Sequence, residues 1–195
     1  MSDRRPRGSS ELLPLGAYVF PLGHLAFGYL SYVLIRLARQ EPLPQGWLLL
    51  TVLVGTQIPD IIDKPLSYVG ILPSGRSLGH SVLVIAPILV VVVLWAHREG
   101  HTEYAIAGSV GLLSHYVGDV YKTALTGDWW SMRFLLWPLY PVSPSDGTPP
   151  WIRVIESSGD PQYRAQNALA VFAVLLWAAN KIWRAQRNSG TEGNQ

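Results

Sequence analysis

The chain predicts an all-α, polytopic membrane bundle of about five transmembrane helices with an interfacial aromatic flap, and three observations carry that prediction. Of 195 residues 49% are hydrophobic and only 14% charged, against roughly 25% charged in a soluble globular domain. The few charges are also clustered: Leu12 to Ile35 and Ser77 to Ala96 contain no Lys, Arg, Asp or Glu, and such runs are long enough to cross a bilayer. Finally, these runs are too long for barrel strands and lack their alternation, so helices are the better reading.

Residues 1–15 read as a disordered tail. Arg4, Arg5 and Arg7 precede an apolar segment as in a secretory signal, but no clean small-x-small cleavage site follows and His24 interrupts the segment, which predicts an uncleaved first span over about 16–38. Further spans are expected near 46–62, 79–97, 103–125 and 162–183, the second and fifth with uncharged cores near the lower length limit. Together 16–186 form one helical membrane domain. Inside it, 126–160 holds "DWWSMRFLLWPLYPVSPSDGTPP", whose Trp and Tyr suit the headgroup level and whose Pro, Ser and Gly suit turns. Asp160 and Pro161 fit an N-cap followed by proline at the first helical position, opening the last helix. That helix is expected to run to Arg187, leaving 187–195 as a disordered tail.

Cysteine is absent, so thiolate metal sites and disulfides are excluded. A net charge of +2 is too weak and dispersed to argue for nucleic acid. The polar residues inside the apolar segments are more informative. In an antiparallel bundle the start of span one, the end of span two, the start of span three and the end of span four share a membrane side. His24, Asp60, Asp63, His80, His115 and Asp119 all fall on that side, and the aromatic flap leaves from it. Trp47, Trp95 and Trp183 fall at the other interface. His115 and Asp119 are an i, i+4 pair on one helix face.

Imidazole and carboxylate are the usual non-thiol ligands of zinc, and a divalent cation compensates buried carboxylates. Each residue alone has a plainer reading. His24 can be interhelical glue, Asp60 and Asp63 can mark the water boundary after Pro59, and HxxxD can stabilise packing. The six on one side favour a bound divalent metal, with zinc as the first choice. Arg76, just before His80, is either an interfacial anchor or a bidentate contact for a phosphate or carboxylate oxygen. Ser81 reads as a supporting or packing hydroxyl rather than a nucleophile. His97 and His101, in "HREGHTE", sit at the opposite interface and read as a solvated loop.

The series "GHLAFG", "IPDIIDKP", "RSLGHS" and "SHYVGDVYKTALTGDWWSMRFLLWP" resembles the YdjM-type family, membrane-bound proteins described as metal-dependent hydrolases, over about residues 20–140. That family is in turn distantly similar to zinc-dependent phospholipases C and single-strand nucleases. The resemblance implies that His24, Asp60, His80, His115 and Asp119 are metal ligands, with Asp119 able to bridge two ions. The chain departs from the pattern in three ways. It spaces its acids PDxxD rather than PDxD, which leaves Asp60 and Asp63 as alternatives; it carries Gly75 and Gly79 where His and Thr are commoner; and it has no His after Asp119, so one or two ions are expected in place of a three-metal cluster.

The expectation is an integral protein of a prokaryotic plasma membrane, in contact with lipid and with a phosphate-containing substrate. It would cleave a phosphoester by metal-activated water, with Arg76 and Asp63 in the catalytic machinery. The competing expectation is a non-catalytic scaffold, or an ion pathway with a structural His/Asp metal site. A relay, however, would spread polar residues across the spans instead of gathering them on one side.

Overall fold

The computed structural model describes residues 20–144, 148 and 150–192. The expected N-terminal tail, 1–15, lies outside them. Among the described residues every regular element is a helix: α1 Pro21–Ala38, α2 Gly46–Tyr68, α3 Val82–Arg98, α4 Thr102–Thr126, a 3-10 helix Trp129–Leu136, α5 Pro150–Ser157 and α6 Pro161–Glu192.

Each expected span has its helix, but the boundaries move. The second continues through Pro59 and Pro65 to Tyr68, and α6 runs on to Glu192, past Arg187. Proline withholds a backbone N–H without ending a helix whose flanks are held by packing. The residues after Arg187 include Gly190, which costs a helix about 1 kcal/mol, and the ladder nevertheless continues to the end of the described segment. At the start of α6 the Gln162 backbone N–H donates to Asp160 Oδ1 at 2.7 Å, the N-cap expected there. Among the described residues only two helices, Gly46–Tyr68 and Pro161–Ser189, are both long and apolar enough to cross a membrane; Val82–Arg98 is apolar but 17 residues long. At 18 and 25 residues α1 and α4 have the length, and their inward polar residues lower their hydropathy.

Helix α4 is the centre of the bundle and packs against α1, α2 and α3, while α6 lies along α1. The α2/α4 contact is backbone to backbone. A methyl group on Gly55 would lie 2.4 Å from the Gly108 carbonyl oxygen, and one on Gly111 would lie 2.3 Å from the Val52 carbonyl oxygen. Small residues at these positions let two helices approach more closely than side chains allow. Around the crossing, Tyr32, Val52 and Ala107 form one apolar cluster, and Ile85, Leu112 and Tyr116 join α3 to α4. Outward positions stay apolar, with Leu34, Val90, Val91, Leu113, Val117 and Phe172 all exposed.

At the α1/α2 turn the buried Arg36 side chain donates to the Pro42 carbonyl at 2.7 Å and pairs with Glu41 at 3.0 Å and with Glu103. This closes the bundle at the end remote from the polar residues of interest.

Candidate metal centre

Four segments bring one polar cluster together beneath the 3-10 helix. Helix α1 supplies His24, α2 supplies Asp60, the loop before α3 supplies His80, and α4 supplies His115 and Asp119 one turn apart. All five are buried, and the three imidazoles are almost completely so. Among the described residues two sets of three could hold a metal ion: His80, His115 and Asp119; and His24, Asp60 and His115.

The tautomers follow from what the rings touch. His115 Nδ1 lies 2.7 Å from the Thr56 carbonyl oxygen, which can only accept, so Nδ1 carries the proton. His80 Nδ1 lies 2.8 Å from Asp63 Oδ2. That carboxylate already accepts from the backbone N–H of Ser77 at 2.7 Å, Gly79 at 2.7 Å and His80 at 3.1 Å, so it is ionised and again the imidazole donates. Both rings therefore turn Nε2 inward, where it is an acceptor in the neutral imidazole, and these two nitrogens are 3.1 Å apart. At that distance a cation has to lie between them, either a proton that one Nε2 donates to the other or a metal ion.

The surrounding oxygens complete the picture. Asp119 Oδ2, buried and without a hydrogen-bond partner, is 3.3 Å from His80 Nε2 and 3.7 Å from His115 Nε2. Asp60 Oδ1 is 3.6 Å from His80 Nε2 and 4.0 Å from His115 Nε2. Tetrahedral zinc with bonds of about 2.0–2.1 Å spaces its ligands roughly 3.3 Å apart. The donor types, spacing and outer hydrogen bonds all fit a divalent cation, since metal-bound histidines ordinarily give their other N–H to a carbonyl or carboxylate. His24 is held differently: its ring stacks on His115 at 3.8 Å, Nε2 is 3.6 Å from Asp119 Oδ1, and the buried Nδ1 has no partner.

A family model described as YdjM inner membrane protein matches residues 20–187. The chain belongs to the YdjM family. No curated protein and no solved structure matches it. Membership, with the apolar helices, makes this YdjM protein an integral protein of the inner membrane.

Of the residues expected from sequence, His24, Asp60, His80, His115 and Asp119 converge. Asp63, expected as a ligand and as a catalytic group, faces the other way: its oxygens are taken up by the 74–80 loop backbone and His80 Nδ1, and it belongs to neither candidate set. Three positions further along α2 than Asp60, it addresses the loop while Asp60 addresses the cluster. Arg76 donates to Asp119 Oδ1 at 3.0 Å and lies over the Phe134 ring at 5.2 Å. His97 pairs with Thr102 at 3.1 Å, and neither it nor His101 joins a candidate metal set among the described residues.

Three participants were not singled out from the sequence. The Thr56 carbonyl is invisible there because any residue supplies one. Lys64, whose Nζ lies 2.6 Å from Asp60 Oδ2, had a signal in its i, i+4 spacing. Phe134, buried on the 3-10 helix, meets both Arg76 and His80 edge-on or over its ring, and Ser81 Oγ donates to the Trp137 carbonyl, tying the flap to the residue beside His80.

Proposed function

We propose that this YdjM protein is a membrane-embedded, metal-dependent hydrolase acting on a phosphoester, with lipid headgroups as the nearest source of substrate. The observation that carries the reading is the 3.1 Å approach of the His80 and His115 Nε2 atoms, each on a ring whose Nδ1 is held by an outer hydrogen bond, beside the unpartnered Asp119 Oδ2. In this reading α1, α2, α3, α4 and α6 are the five spans, because the polar residues of α1 and α4 face inward and their exposed residues are apolar.

His80, His115, Asp119 and Asp60 are the residues that would hold the ion, with zinc the first choice for a nitrogen and oxygen set. Such an ion supplies Lewis acidity and a water acidic enough to attack near neutral pH. Asp63 and the Thr56 carbonyl fix the two imidazole rings. Arg76, its side chain 31% exposed where the imidazoles are almost fully buried, is placed to meet a phosphoryl oxygen with a charge-assisted hydrogen bond. Phe134 and the rest of the flap limit access of bulk water above His80 and Arg76.

The test is metal analysis of purified protein followed by phosphomonoester, phosphodiester and phospholipid hydrolysis. Stoichiometric metal and hydrolysis in at least one class are expected. Protein that takes up no divalent metal removes the basis of the reading, and metal without hydrolysis in any class favours a structural site. Asp63 has its own prediction: Asp63→Asn keeps the shape but weakens the acceptor for His80 Nδ1, so metal affinity should fall about 10- to 100-fold by competition with a chromophoric chelator. Unchanged affinity would show that the carboxylate only shapes the loop.

A further inference from the structure

We infer that the centre holds one divalent ion, and that Lys64 and Arg76 stand where a second would be needed and receive the substrate's phosphate. The inference rests on the metal-centre reading above and adds the ion count and the anion receptor to it.

The two candidate sets share His115. Because the Nδ1 proton of that ring is committed to the Thr56 carbonyl, it has a single lone pair, on Nε2, and can serve one ion. The two sets are therefore alternatives. With His80, His115 and Asp119 Oδ2 given to one ion, a second would have to gather His24, Asp119 Oδ1 and Asp60. Those oxygens already face cations: Asp119 Oδ1 accepts from Arg76 at 3.0 Å, and Asp60 Oδ2 accepts from Lys64 at 2.6 Å. A further dication would sit against an ammonium and a guanidinium. His24 also lacks the outer hydrogen bond on Nδ1 that both other imidazoles have.

Charge points the same way. Asp60, Asp63 and Asp119 against Lys64 and Arg76 leave one net negative charge around neutral imidazoles, and one divalent ion turns this to one net positive. The centre then attracts an anion, and the exposed parts of the two cations are where it arrives: their side chains are 40% and 31% exposed, against 11% and 3% for the carboxylates they bind. The stem of Lys64 runs beside Gly75, the residue before Arg76. Once an ion shares the carboxylates, both heads can extend hydrogen bonds to one phosphate group, whether it belongs to a lipid or to a soluble ester.

The experiment uses full-length protein in detergent, saturated with zinc, desalted and counted by mass spectrometry. One ion per chain is expected. Two per chain overturns this inference and leaves the hydrolase reading standing, whereas none overturns both. Inorganic phosphate is then titrated calorimetrically into the zinc-loaded protein. Lys64→Gln and Arg76→Gln should each weaken binding by about tenfold, the loss of one charge-assisted contact, while Lys64→Arg retains it. Phosphate affinity unchanged in Lys64→Gln and Arg76→Gln would overturn their role as receptor. Equal competition by phosphatidic acid vesicles and soluble glycerol phosphate would point to a soluble ester, and stronger competition by the vesicles to a lipid.

Discussion

His115→Ala protein should purify without stoichiometric metal and without hydrolytic activity. Its Nε2 belongs to both candidate ligand sets, so no alternative arrangement of the remaining groups replaces it. The loss should exceed that from removing an outer hydrogen bond and amount to at least a thousandfold in zinc affinity, on the order of 4 kcal/mol at about 1.4 kcal/mol per tenfold. His24→Ala is the control. That ring is buried but its Nδ1 is unpartnered and its Nε2 is 3.6 Å from Asp119, so the variant should keep its ion with a smaller loss of affinity. Mass-spectrometric metal counts on both proteins decide the matter. Full retention of metal by His115→Ala would sink the centre as described.

Gly111→Ala should be the most damaging single-methyl change in the bundle. The added carbon would lie 2.3 Å from the Val52 carbonyl oxygen and 3.0 Å from the Thr56 nitrogen, both main-chain atoms that cannot rotate away. The helices must separate, at about 2–3 kcal/mol for overpacking and more if the α2/α4 contact is lost as a unit. Because α4 carries His115 and Asp119 while α2 carries Asp60 and the Thr56 carbonyl, metal affinity should fall together with the melting temperature in detergent. Gly159→Ala, where nothing lies within 4 Å, should change neither. A Gly111→Ala protein with a wild-type melting temperature would mean that the crossing is looser than the contact distances imply.

The helical class and the meeting of five polar residues were legible because both depend on order along the chain. Hydropathy marks the helices, and antiparallel connection forces alternate ends onto one side. His115 and Asp119 were readable as a pair because four residues is close to one helical turn. The choice between Asp60 and Asp63 was not. Residues three apart on a helix point only about 60° from one another, and which of the two meets the cluster depends on how the 74–80 loop folds back over α2. That loop has no periodicity to read. The number of spans is also less plain than hydropathy runs suggest, since α1 and α4, which carry His24, His115 and Asp119, have the length but not the hydropathy of a membrane span.

The hold of Asp63 on the backbone of Ser77, Gly79 and His80 has a consequence for biogenesis. His80 is aimed by an acid that leaves the ribosome earlier, on α2, and its metal-facing partners, His115 and Asp119, arrive later, on α4. A nascent chain arrested before α4 would hold His24, Asp60 and His80 but lack His115 and Asp119. In the metal-centre reading, ion capture would be coupled to completion of the bundle, and the ion would then join α1, α2, α4 and the loop before α3 at one point.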